Sequence, residues 1–239
     1  MKILISPAKN FTYFTVSEKE FSLPIFHSKS KLIEKLINEL TDQEFTEVYK
    51  IKESKIEQYR IYSSIENKEN LLAINSFIGI QYKYLDYISL TEQQKSFINQ
   101  NVLILSSLYG IISPLNRIKE HKIDFNNKLN LYHFWDDQIS HFFNTNKDEK
   151  YLILSSNEYT KLIQNHLKNS QYISVKFVEE IKGKLVSKST MSKIQRGKML
   201  RWITQNNIND FEQIKNYTLD NFEFFMQNNN ELIFKQKNN

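Results

Sequence analysis

Three short apolar runs in this chain end alike: Ile3-Leu4-Ile5-Ser6, Val102-Leu103-Ile104-Leu105-Ser106-Ser107 and Tyr151-Leu152-Ile153-Leu154-Ser155-Ser156. An apolar run with no polar alternation has no face to offer to water, so it reads as a strand buried on both sides, as in a parallel or mixed sheet covered by helices. A fourth run, Leu71-Leu72-Ala73-Ile74-Asn75, has the same form. In open sheets of this kind, ligands collect beyond the carboxyl ends of the strands. If the four strands run the same way, Ser6, Asn75, Ser106 and Ser156 share one edge. For any single serine a capping role is the plainer explanation, and the recurrence is what draws attention to the edge.

The intervening segments read as helices. Apolar residues recur at helical spacing over 30–40, and Thr41 with Glu44 and Thr91 with Gln94 form capping boxes; 53–66, 133–144, 157–168 and 190–205 are also expected to be helical. Tyr172–Val178, Leu185–Ser189 and Glu231–Phe234 read as further strands, taken as antiparallel because the connection at 181–184 is the size of a hairpin. Asn228–Asn230 is a polar turn and Lys235–Asn239 a frayed tail. No linker-like stretch interrupts the 239 residues. The expectation is one mixed α/β domain over 1–239, with a central mixed sheet flanked by helices.

Composition narrows the function. The absence of cysteine excludes disulfides, disulfide-linked partners, thiolate metal sites and a cysteine nucleophile. No stretch approaches the length of a membrane span, and the expected location is cytoplasmic. The net charge of +5 points to an anionic partner, and its distribution points further. Lys182 to Arg201 holds seven basic residues and no acid, so the rest of the chain nets −2.

Six blocks can carry chemistry. Ser6-Pro7-Ala8-Lys9 puts a hydroxyl and an ammonium beyond the first strand, where Lys9 can bind phosphate, act as a base, or do neither. In the block 77–82, Gly79 suggests either a positive φ or a close backbone approach, and Tyr82 either stacks on a ligand or fills the core. Ser106 to Leu115 places Tyr109 and Gly110 in a tight turn whose N–H groups can grip a phosphate oxygen. His121 and Asp124 follow as a potential acid/base pair.

Leu131–Asp137 gathers Trp135, two other aromatics and two carboxylates; His133, Asp137 and His141 make too thin a set for a metal, and neither a metal nor a cofactor is expected. Ser155–Tyr159 repeats the strand-to-helix pattern, with Ser156 and Tyr159 beside the edge. Glu158 is either a base near Lys9 or a residue favoured by the helix dipole. In the basic segment, Lys193 and Arg196 fall roughly 60° apart on a helical wheel, away from the apolar side. Lys198 and Arg201 add to the anion-binding set, and arginine suits bidentate phosphate contact.

Taken in order, Ile5–Lys9, Leu108-Tyr109-Gly110 with Pro114-Leu115, Leu131-Tyr132-x-Phe134-Trp135, Ser156-x-Glu158-Tyr159 and Lys193-x-x-Arg196-Gly197 resemble the YaaA family of bacterial peroxide-stress proteins, essentially end to end. The resemblance implies a cytosolic protein that limits unincorporated iron and the oxidative DNA damage it feeds. It also implies a single-domain fold peculiar to the family, with a helix-hairpin-helix-like element and a positive cleft that binds duplex or locally opened DNA. By motif it puts Lys9, Tyr109, Trp135, Glu158, Lys193 and Arg196 in or near that cleft. The sequence departs from the family at His121–Asp124, where an aromatic, an arginine and a glutamate are commoner, at Asp136 in place of glycine, and at Ile194 in place of lysine.

The leading expectation is a DNA-binding stress protein, with Lys182–Arg201 on phosphates and Tyr109 or Trp135 stacking on an unpaired base. The alternative is an enzyme acting on a nucleobase, nucleotide or other small anion, with Lys9 and Glu158 as acid and base. Direct iron binding has the least support, given the few histidines.

Overall fold

A strand that must hide both faces belongs in the middle of a sheet, and β1 (Lys2–Ile5) lies there with Ile3, Leu4 and Ile5 wholly buried. The computed structural model describes residues 1–14, 21–64, 67–167 and 171–237. After β1 come β2 (Asn10–Phe11), helices α1 (His27–Glu39), α2 (Asp42–Tyr49) and α3 (Ile56–Arg60), β3 (Leu71–Leu72), the single turn α4 (Ala73–Ser76), β4 (Phe77–Ile78), α5 (Ile80–Leu85) and α6 (Glu92–Asn101). The chain continues through β5 (Val102–Ser106), β6 (Gly110–Ile112), β7 (Arg117–Ile118), α7 (Leu131–Thr145), β8 (Lys150–Leu154) and α8 (Asn157–Thr160). It ends with β9 (Gln171–Ile181), β10 (Lys184–Val186), α9 (Ser189–Gln205), α10 (Phe211–Ile214), β11 (Phe222–Asn228) and β12 (Glu231–Gln236).

The main sheet has the order β11-β12-β9-β8-β1-β5-β6, with β10 paired to the far end of β9. β12, β9, β8, β1 and β5 are parallel, while β6, β10 and β11 run antiparallel to their neighbours. Ile3 lies between Val102 and Leu152, which brings the three serine-tailed runs side by side and in step. The architecture is a mixed α/β fold around a central mixed sheet flanked by helices, and one continuous apolar core joins sheet and helices.

Local chemistry sets several boundaries. Both capping boxes form: Thr41 accepts from Glu44 N and Thr91 from Gln94 N, with each N3 side chain returning the bond. The β9–β10 hairpin turns through Lys182 and Gly183, both at positive φ. β9 is eleven residues long: it pairs with β8 at its start, with β12 through its middle and with β10 at its end.

Several expectations are corrected. Leu71–Asn75 is not a fourth strand of the main sheet: Leu71 and Leu72 pair with β7 in a separate ribbon, and the chain then turns into α4. Asn75 is therefore off the shared edge. Tyr172–Val178 is parallel to both its neighbours, β8 and β12, not antiparallel, whereas Glu231–Phe234 is parallel to β9 and antiparallel to β11, and Leu185 lies in β10, antiparallel to the end of β9. Lys235 and Gln236 continue β12, so the tail does not fray there, while residues 238–239 lie outside the described residues. The helix expected over 53–66 is a short α3 with flanking 3-10 turns, and 157–168 holds one helical turn, α8, followed by further turns; 65–66 and 168 lie outside the described residues. α5 and α6 are joined through 86–91, and α9 packs on both.

Candidate functional site

β1 and β8 end together, and a hydroxyl extends their pairing: Ser6 Oγ accepts from Ser156 N at 2.8 Å and lies 3.4 Å from Ser156 Oγ. From the other side, the buried Tyr82 hydroxyl donates to Ser6 O at 2.9 Å and fixes α5 to the strand end. Burial holds the Tyr82 phenol well above its ordinary pKa, so it remains a neutral donor. Above this floor lie two cavities that share Lys9, Ser156, Glu158, Lys193 and Arg196. The inner one, about 340 Å³, has mostly apolar walls from Pro7, Ala8, Ile78, Ile80, Tyr82 and Tyr159, with Gln81 among them. The outer one, about 670 Å³, is ringed by hydroxyls from Ser155, Thr160, Ser174, Ser187 and Ser192.

Lys9 is held by Asp124 at 2.7 Å. Burial works against its charge, but the Asp124 hydrogen bond and the charges of Asp124 and Glu158 outweigh that cost, and its pKa is raised. Glu158 is half-buried. Desolvation, together with the Asp124 charge, raises its pKa against the opposing pull of Lys9 and of the bond it accepts from Phe125 N at 3.3 Å. The arrangement presents a cation, a carboxylate and a carboxyl that takes up a proton more readily than usual.

α9 supplies the other wall because Gly197 lets it lie against α5: a Cβ there would sit 2.3 Å from Gln81 O. That contact turns Arg196 and Lys193 toward the cavities. Neither forms an ion pair or hydrogen bond with any described residue. Arg196 is half-buried, with Nε buried and unpartnered, and burial lowers its pKa. Gln81 Nε2 is also buried without a partner.

Of the residues expected from sequence, Ser6, Lys9, Gly79, Tyr82, Ser156, Glu158, Tyr159, Lys193 and Arg196 all line the cleft. Gly79 has extended backbone, which any residue adopts, so its use is close approach: a Cβ would lie 3.1 Å from that of Ala8. Four others do not reach the cleft in a usable form. Tyr109 and Trp135 are completely buried, the tyrosine hydroxyl accepting from Lys119 N and the indole donating to Ser107 O at 2.8 Å. Neither ring has a face for a base. Lys198 is paired with Asp220, and Arg201 donates to Leu85 O, Asp86 O and Ser89 Oγ, closing the end of α5.

The Ser106–Gly110 turn is buried as well, and Ser106 Oγ already takes the Tyr109 N–H, so no backbone nest faces a ligand. His121 is not the partner of Asp124, which binds Lys9. Its Nδ1 faces the carbonyl of Lys119 at 3.1 Å; a carbonyl only accepts, so the proton is on Nδ1. Burial depresses its pKa to about 4. No group of three or more His, Asp or Glu among the described residues could hold a metal, and no helix among them is long and apolar enough to cross a membrane.

Asp124 as the partner of Lys9 and Gln81 as a cleft donor were not apparent from sequence. Asp124 is 115 residues from Lys9, and Gln81 looks like any helical glutamine until α9 is in place.

The chain matches the family described as Peroxide stress protein YaaA over residues 1–228. It is similar to UPF0246 proteins from Finegoldia magna (34% identical, 98% of this chain and 97% of that one), Clostridioides difficile (32%, 98% and 99%) and Fusobacterium nucleatum (30%, 100% of both). With the match running almost from end to end, this chain belongs to the YaaA family of peroxide stress proteins.

Proposed function

We propose that the protein binds DNA through this cleft and its rim and thereby limits iron-dependent oxidative damage in the cytoplasm. The observation that carries the reading is the set of cations left without partners. Of the seven basic residues between 182 and 201, Lys188, Lys198 and Arg201 are engaged by Glu179, Asp220 and Asp86. Lys182 in the β9–β10 turn, Lys184 at the start of β10, and Lys193 and Arg196 on α9 are paired with no described residue. A cation without a protein partner is available to release counterions from phosphates, whereas an engaged one must first break its own pair.

Four such contacts set the size of the effect. Plotting log affinity for duplex DNA with phosphorylated ends against log salt concentration should give a slope of about −3 to −4, and Lys193→Ala with Arg196→Ala should reduce it to about half. A slope unchanged in the double variant would remove α9 from the interface. A second reading has its own support in Glu158, the half-buried carboxyl with a raised pKa beside the Lys9–Asp124 pair, which suits acid–base work on a small phosphorylated or nucleobase substrate. Binding insensitive to salt, together with turnover of a nucleotide, would favour it.

A further inference from the structure

The net charge of the cleft is smaller than its list of cations suggests. Lys9 is offset by Asp124 and Lys176 faces Glu231 at 3.9 Å, so among the described residues Lys193 and Arg196 are the unopposed positive charges lining it, with Glu158 between the two cavities. Cavities of about 340 and 670 Å³ are the size of small-ligand sites and far smaller than a duplex. The two donors without partners also sit low. Gln81 is 7% exposed and Arg196 Nε is buried, while Lys193 stands exposed at the rim one turn away.

Leaving the Arg196 Nε and Gln81 Nε2 donors buried and unsatisfied costs stability, and ligand oxygens that accept from them recover it. That ligand must carry negative charge and several acceptors, and must enter end first, because the donors are below the rim. An internal phosphodiester has sugar on both sides and would have to draw a continuous strand down to that depth. A terminal phosphate does not.

We propose that the inner cavity is a phosphomonoester pocket, in which Arg196 and Gln81 grip the phosphate oxygens, Lys193 closes over them, and Ser6 and Ser156 supply hydroxyls at the strand ends. This rests on the DNA reading for one of its two sources, a phosphorylated strand end; the other source is a free phosphate monoester. A carboxylate at Glu158 would oppose such a ligand, and its elevated pKa lowers that opposition. Once the phosphate is seated, the apolar walls of Ile78, Ile80 and Tyr82 meet the attached sugar or base.

The test measures binding, by fluorescence anisotropy at fixed salt, of one duplex sequence in three forms: 5′- or 3′-phosphorylated ends, hydroxyl ends, and a covalently closed circle. A nucleoside monophosphate is titrated in parallel by calorimetry. At least one phosphorylated end is expected to bind about tenfold or more tightly than the hydroxyl end, as charge-assisted hydrogen bonds imply. Arg196→Met and Gln81→Met, which keep side-chain volume and lose the donors, should erase that preference, with thermal melts confirming that each variant is folded. Equal affinity for phosphate and hydroxyl ends, with no monophosphate binding, overturns the pocket even if the circle binds and the DNA reading stands. Monophosphate binding that Arg196→Met abolishes, with no form of DNA bound, upholds the pocket and ends the DNA reading.

Discussion

His121 shows what a buried ionisable group does to a fold. Its ring is edge-on to Phe11 and Tyr109, its Nδ1 proton is committed to the Lys119 carbonyl, and its pKa is pushed down to about 4. An unfolded histidine titrates near 6.5, so between those values the unfolded chain binds the proton that the folded chain refuses. Stability is therefore lost as pH falls from about 6.5 to about 4, by on the order of 3 kcal/mol from this residue. His121→Phe keeps the ring contacts and removes the titration. Urea titrations at pH 7 and pH 4.5 should show a smaller stability loss in the variant, and an identical loss would mean that other groups set the acid limit. Residue by residue, the cleft lining was legible from sequence at the ends of β1 and β8, where Ser6 and Ser156 lie, but not at the end of β5, where Ser106 is buried under the turn it caps. It was not legible for Tyr109 and Trp135, because an aromatic next to a functional edge looks the same in sequence whether it faces the ligand or supports the floor.

Among the elements, the pairing of α9 with α5 decides whether there is a cleft at all. Gly197 meets the backbone of Gln81, and a backbone atom cannot rotate away as a side chain can. Gly197→Ala should therefore cost more than the 1–3 kcal/mol typical of an overpacked site, despite alanine's better helix propensity, and should weaken DNA binding by shifting Lys193 and Arg196. Denaturation and binding assays on the one variant check both; a variant as stable as the parent would show that the helices part freely.

The elements readable in sequence were those with one strong signal: three strands with no polar alternation and two helices with complete capping boxes. Leu71–Asn75 was misread because a four-residue apolar run fits a strand or a buried helical turn. What decides is distant, since Ala73 N and Ile74 N bond to Asn116 O and Pro114 O. β11 gave no clear pattern because most of it is exposed at the sheet edge, where β12 supplies its pairing.

For the whole molecule, the sheet order argues for a single folding unit. β9 pairs with β8, β12 and β10, and β1 bridges β8 and β5, so segments from both ends of the chain share one core. Unfolding should be one cooperative transition, coincident by near- and far-ultraviolet circular dichroism. Leu4→Ala, at the centre of the sheet and wholly buried, should lower stability by about 2–5 kcal/mol without splitting the transition. Two separate transitions would show that the terminal third folds by itself.

The place of β1 also bears on how the chain is made. Its partners are β5 and β8, which begin about a hundred and about a hundred and fifty residues later. At roughly 5–20 residues per second on the ribosome, Ile3-Leu4-Ile5 waits on the order of five to twenty seconds for its first partner strand, β5, with both edges and both faces unclaimed until then, and longer for β8. During that interval the strand is an unpaired apolar segment of the nascent chain, open to pairing with other chains until β5 and β8 follow.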